Sequence, residues 1–186
     1  MENIYVERVR ANVKRQALYC DMLGSARWVG ELAQRYPARE ITPLTPWFAN
    51  ISIHDVEITG CSTLVDVSAL PEKPVKNFFF GNVKAHCDRI GKICDATKFS
   101  MKDVRIESCD TVMRIDNCDY ASFFGFSNVT TGSSVKIEKT GGECRYLNVQ
   151  TYPLVPVNYQ SIRPGEVWLD TEGKPIQAHG FQVTFR

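Results

Sequence analysis

The sequence predicts an all-β fold, a stacked β-solenoid, and three observations predict it. A pattern of apolar, any, apolar, any, polar, Val recurs as Ile4-Val6-Val9, Ile51-Ile53-Val56, Phe78-Phe80-Val83, Phe99-Met101-Val104, Phe124-Phe126-Val129 and Cys144-Tyr146-Val149. Alternate apolar residues describe a strand with one inward face. Successive valines stand 47, 27, 21, 25 and 20 residues apart, a period near that of one solenoid coil. The residue before each valine is Arg8, Asp55, Asn82, Asp103, Asn128 or Asn148, and Asn and Asp tolerate the left-handed backbone of a sharp corner.

Each element follows from this frame. The first strand, Ile4 to Val9, is succeeded by a second apolar alternation at Leu18-Cys20. Residues 24–45, "GSARWVGELAQRYPAREITPL" and its neighbour, break the alternation and predict an insertion with a short helix or lid. Later coils repeat the two-strand plan, with second strands at Leu64-Val65-Val67, Ile93-Cys94, Val112-Met113-Ile115 and Val135-Ile137. The register places Ile53, Phe80, Met101 and Phe126 in one internal column, and Tyr5, Ser52, Phe79, Ser100, Gly125 and Arg145 in an outward row. Equivalent Asn side chains are expected to bond from coil to coil. A leucine-rich repeat shares the period, but its Leu-x-x-Leu-x-Leu signature does not occur.

Composition narrows the function classes. A net charge of +1 with 44% hydrophobic residues favours an ordered core and does not mark nucleic acid or membrane as a partner. No apolar run is long enough to span a bilayer, and the opening "MENIYVERVRANVKRQ" lacks the apolar core of a signal peptide. Seven cysteines without a C-x-x-C spacing support neither a complete disulfide framework nor a zinc site, and Cys20, Cys87, Cys94, Cys109, Cys118 and Cys144 read mostly as small packing residues. His54, His86 and His179 are dispersed without metal-ligand spacing, so no metal and no cofactor is expected, and His54 reads as a solvated surface residue. Two glycosylation sequons, at Asn50 and Asn128, fall on repeat positions and are better explained as corner residues.

The stretches "MENIYVERVRANVKRQALYCDMLG", "TPWFANI" (45–51) and "LPEKPVKNF" (70–78) resemble the C-terminal coils of the polygalacturonase-like enzymes, glycoside hydrolase family 28. The resemblance covers about residues 1–130 and implies a right-handed parallel β-helix of the pectin lyase-like kind. It also implies a parent enzyme that hydrolyses glycosidic bonds of pectic polysaccharide with inversion, one carboxylic acid protonating the leaving oxygen and a carboxylate activating water. The family's N-T-D, D-D, G-H-G and R-I-K motifs do not occur here; Arg114-Ile115-Asp116 is the nearest approach. The expectation is therefore a piece truncated on its N-terminal side, inactive alone, whose exposed first coil favours self-association. Its parent's compartment is expected to be extracellular or periplasmic. Tyr19 and Asp21 alternate with inward Leu18 and Cys20 and are candidates for contacting the polysaccharide, against the plainer reading of an exposed edge pair. Arg27 and Trp28 in the insertion are further substrate-binding candidates, since an indole suits a sugar face; the alternative has Trp28 packed on the outer wall. A different class, a non-catalytic carbohydrate-binding or adhesion module, fits the missing acid motifs equally.

Alternation stops after Tyr152. Residues 153–165 carry prolines and a glycine and read as a linker. In 166–180, Trp168, Asp170, Thr171, Gly173, Ile176, Ala178, His179 and Gly180 resemble the start of a galactanase-like domain of glycoside hydrolase family 43, so 166–186 is expected to be the incomplete opening of a second glycosidase domain or an irregular tail.

Overall fold

The computed structural model describes residues 1–150 and the backbone of 168–169 and 175–176; the linker and most of the tail expected from the sequence lie outside the described residues. The fold is all-β. In chain order come β1 (Glu2–Asn12), β2 (Gln16–Asp21), a helical turn α1 (Ala26–Val29) continued by a 3-10 turn (Gly30–Ala33), β3 (Ala49–Ser68) and β4 (Val75–Glu107). There follow β5 (Val112–Asp119), β6 (Ser122–Phe124), β7 (Ser127–Asn128), β8 (Ser133–Ser134), β9 (Lys136–Gly141), β10 (Leu147–Gln150), β11 (Trp168–Leu169) and β12 (Pro175–Ile176). No helix among the described residues is long and apolar enough to cross a membrane.

Pairing is overwhelmingly parallel and in register. Ile4 lies beside Ile51 and Val9 beside Val56; Ile51 lies beside Phe78 and Val56 beside Val83. Parallel partners thus stand 47 and then 27 residues apart, as the repeat predicts. The predicted second strands pair likewise, Leu18 with Val65, Val67 with Ile93, Ile93 with Ile115 and Met113 with Ile137. Phe78 and Phe99 stack face to face at 4.9 Å, and Phe99, Met101, Val104, Met113, Ile115, Phe123 and Phe126 are essentially inaccessible to solvent. Phe79, by contrast, points out as expected and lays its ring over Gly81, where an added Cβ would come within 2.5 Å of the ring.

The corners are left-handed. Asn3, Asn50, Asn77, Lys98, Tyr120 and Tyr146 all have φ between 53° and 59°, five of them immediately before a strand residue of their row and Tyr120 separated from β6 by one residue. Arg8, Asp55, Asn82 and Asp103 form a second column, with φ between 48° and 56°. The expected ladder is present, since Asn50 Nδ2 donates to Asn3 Oδ1 at 3.1 Å, Asn77 Nδ2 to Asn50 Oδ1 at 2.8 Å, and Asn82 Nδ2 to Asp55.

The last two copies sit in a different register from the one expected. Met101 lies beside Phe123 and Phe123 beside Val149, so Phe123, not Phe126, continues the column of Ile53 and Phe80. The fifth corner is Gly125 (φ 63°) in place of Asn128, and Asn148 lies in a strand beside Ser122. Glycine takes left-handed backbone without steric cost, which frees Phe126 to turn inward while Val129 is left 59% exposed. Buried Asn128 donates Nδ2 to the carbonyls of Ser108 and Asp110, both at 2.9 Å, and accepts from Thr130 N at 3.1 Å. Of the six cysteines read mostly as packing residues, Cys20, Cys87, Cys118 and Cys144 are buried, while Cys94 is half-buried and Cys109 exposed; Cys61 is buried as well.

Candidate functional site

Parallel register brings together an outward row that no stretch of sequence contains. Tyr19 on β2 lies beside Asp66 on β3, Asp66 beside Lys92 on β4, Lys92 beside Arg114 on β5, and Arg114 beside Glu138 on β9. Neighbouring strands repeat every ~4.8 Å, so the five side chains span about 19 Å. Lys92 Nζ stands 3.9 Å from Asp66 Oδ1, and Arg114 Nε 3.8 Å from Glu138 Oε2. These are long, partly solvated pairs, worth little to stability, whose donors and acceptors stay open to a ligand. Arg89 adds a third cation beside the row, in a shallow groove of about 210 Å³ shared with Thr63, Asp66 and Gly91.

Local backbone shapes this groove. Gly91 sits at φ 107°, and a Cβ there would lie 1.9 Å from the carbonyl oxygen of Val65. Only glycine lets β4 approach β3 so closely, and the floor between Arg89 and Lys92 is bare backbone. Asp110 fixes one wall by accepting from Ile90 N at 3.0 Å and Val112 N at 3.1 Å.

Tyr19 and Asp21, predicted as an outward pair, are one. Tyr19 is 59% exposed, and its hydroxyl donates to Asp21 Oδ2 at 2.9 Å. That hydrogen bond raises the phenol pKa, so the ring keeps its proton, directed at Asp21, and offers its acceptor lone pairs to a sugar hydroxyl. Asp21 Oδ1 accepts from Leu23 N at 2.9 Å, which turns the chain out of β2 into the insertion. Asp21 shares its row with Ser68, Cys94 and Asp116.

Arg27 and Trp28 lie elsewhere. Ser25 caps α1 by accepting from Arg27 N at 3.4 Å, and the Arg27 guanidinium covers the indole at 5.1 Å. Trp28 is 78% exposed, so it does not pack on the wall; among the described residues no hydrogen bond or ion pair joins it or Arg27 to Tyr19 or Asp21. The insertion is instead held by Arg35, which sequence reasoning did not single out. Its guanidinium donates Nη2 to Asp95 Oδ1 at 2.8 Å and to Asp116 Oδ1 at 2.7 Å, and Nε to Asp95 Oδ2. Asp95 is fully buried and also accepts from Asn117 Nδ2 at 2.6 Å. Bonding to Asp95 raises the Arg35 pKa further, with Asp116 adding to it. The insertion leaves after β2 yet lands on β4 and β5, so it crosses the end of the strand row.

A second polar cluster corrects the reading of His54 as a solvated residue. Its Nε2 lies 2.6 Å from the Tyr5 hydroxyl and its Nδ1 3.0 Å from Asp55 Oδ2, while Tyr5 donates to Glu7 at 3.1 Å. Glu7, His54 and Asp55 place ligand-type atoms within 4.8 Å of one another. The two carboxylates address opposite sides of the imidazole, an arrangement that satisfies the ring more than it opens a coordination site.

No family model, curated protein or solved structure matches this chain.

Proposed function

We propose that residues 1–150 are coils of a right-handed parallel β-helix of the polygalacturonase-like type, glycoside hydrolase family 28, and that this chain supplies a carbohydrate-contacting wall rather than the hydrolytic acid pair. The observation that carries the reading is the row Tyr19, Asp66, Lys92, Arg114, Glu138, an aromatic hydroxyl followed by two adjacent cations flanked by a carboxylate on each side, all on one outward face. A pectic chain presents ring hydroxyls and uronate carboxylates at regular intervals. Lys92 and Arg114 suit the carboxylates, with Arg preferring a two-pronged contact, and Tyr19 with Asp66 suits the hydroxyls. Hydrolysis, in this reading, belongs to a parent enzyme in an extracellular or periplasmic setting, where one carboxylic acid and one carboxylate would flank the bond. The helical winding is supported by parallel partners at offsets of 47 and 27 residues and by columns of left-handed corners.

Calorimetric titration of the full chain with oligogalacturonate, with neutral galactan alongside, tests this. Binding of the acidic oligomer that weakens about tenfold or more in Arg114→Ala and in Tyr19→Ala is expected, since one charge-assisted contact is worth about 1.5–3 kcal/mol. Absence of binding to the acidic oligomer, or an affinity in both variants unchanged from that of the unsubstituted chain, overturns it.

A further inference from the structure

The seven cysteines form no framework that the sequence can reveal, yet the strand register singles out one pair. Cys61 on β3 and Cys87 on β4 are direct Cα partners across adjacent parallel strands. Among the described residues no other two cysteines are register partners. Both are free and buried, at 7% and 2% exposure. Adjacent strands lie about 4.7–4.9 Å apart, inside the roughly 4.4–6.8 Å Cα separation that a disulfide requires. The bulge between Ile58 and Cys61 gives β3 a local irregularity at which the backbone can adjust.

The rival pair is otherwise engaged. Cys118 N donates to Cys144 Sγ at 3.5 Å, but the Cys118 thiol itself donates to the carbonyls of Ile93 and Asp116, both at 3.4 Å. Cys61 and Cys87 instead interact with each other. A hydrogen bond from Cys61 holds the Cys87 thiol below its ordinary range, while the same contact and burial push Cys61 up.

We propose that Cys61 and Cys87 are a redox-active dithiol that closes into a disulfide stapling β3 to β4. The oxidant is a low-molecular-weight disulfide such as oxidised glutathione. As the chain folds, before the stack closes over the two side chains, the Cys87 thiolate attacks one glutathione sulfur, forming a mixed disulfide and expelling glutathione thiolate. Cys61, after giving up its proton, attacks the Cys87 sulfur and expels the second glutathione. Two protein thiols lose two protons and two electrons; one glutathione disulfide becomes two glutathione thiols.

The test refolds the full chain carrying Cys109→Ser, which removes the exposed thiol, in a buffer of reduced and oxidised glutathione. Non-reducing digestion and mass spectrometry should recover one cross-linked species joining the Cys61 and Cys87 peptides. The thermal midpoint should rise by about 5–10 °C and fall back on adding dithiothreitol. In Cys61→Ser, with no resolving thiol, glutathione should remain attached to Cys87 and the redox dependence of the midpoint should vanish. Cross-links through other cysteines, a persistent glutathione adduct on Cys87 in the chain that retains Cys61, or two unmodified thiols under oxidising buffer would each overturn the proposal. Peptide mapping of that chain decides even if Cys61→Ser fails to fold.

Discussion

The stacked strands from Ala49 to Asp119 and the excursion from Gly24 to Thr45 are built on opposite principles. In the stack, Leu64, Val65, Phe99, Met101, Met113 and Ile115 are shut from solvent, and each strand is held by a ladder to its neighbour. In the excursion, Trp28, Leu32, Tyr36, Ile41 and Leu44 are exposed, Leu44 at 92%, and Arg35 ties it to buried carboxylate on the stack. Rigidity in one region comes from many weak contacts and in the other from a few polar anchors, Arg35 on Asp95 and Asp116 and the Lys73 ammonium on the Thr45 carbonyl at 3.2 Å, so mutations should separate them.

The largest loss is expected from Gly91→Ala. Its Cβ would meet the Val65 carbonyl oxygen at 1.9 Å and the Thr63 Cγ2 at 2.8 Å, and the backbone oxygen cannot yield by a side-chain rotation. A steep fall in soluble yield and in denaturation midpoint is expected, exceeding that of any core truncation. Next comes Phe99→Ala, which removes the ring stacked on Phe78 and should cost about 3–5 kcal/mol in urea unfolding. Arg35→Met leaves Asp95 buried with Asn117 as its remaining partner, and about 2–3 kcal/mol is expected, at the low end for a broken buried pair because Arg35 is partly exposed. Its signature is spatial. Hydrogen exchange should quicken through residues 24–45 while the β4 amides stay protected.

Acid should probe the corner column more gently. Hydrogen bonds from Asn82 and then His54 hold the Asp55 carboxyl below its ordinary range. Its contribution is present above the unfolded-state pKa and is lost as pH falls through the lowered folded-state value, below about pH 4. Asp55→Asn should flatten that part of the stability-pH curve with little change at pH 7. Trp28→Ala should have the smallest effect, within about 0.5 kcal/mol at neutral pH, because the indole buries little.

The stack was legible where local signals agreed. From Ile51 to Val104 the alternation, the period and the Asn or Asp corners point one way, and the strand pairs follow. Legibility failed at "YASFFGFSNV", where Phe123, Phe124 and Phe126 offer two aromatic frames three residues out of step. Asn128-Val129 matched the earlier corner motif, while the true corner, Gly125, carries no side chain to announce it. At the candidate site, Tyr19 and Asp21 could be read because their orientation follows from neighbours two residues away. Lys92, Arg114 and Glu138 could not, since only pairing across intervals of 22 to 26 residues assembles them with Asp66. Arg35 reaches partners 60 and 81 residues distant and left no local trace.

The positive-φ columns carry an implication for how such a chain tolerates change. Between Asn3 and Asn50 the path consumes 47 residues, and between Asn50 and Asn77 only 27, yet the residues after each corner arrive at the same place in the lattice of strands. Corners act as punctuation, and the text between strands can grow or shrink without altering the lines above and below. Foreign loops grafted at 24–45 should therefore be accepted far more readily than a one-residue deletion inside 51–58, which would turn buried side chains outward along that line.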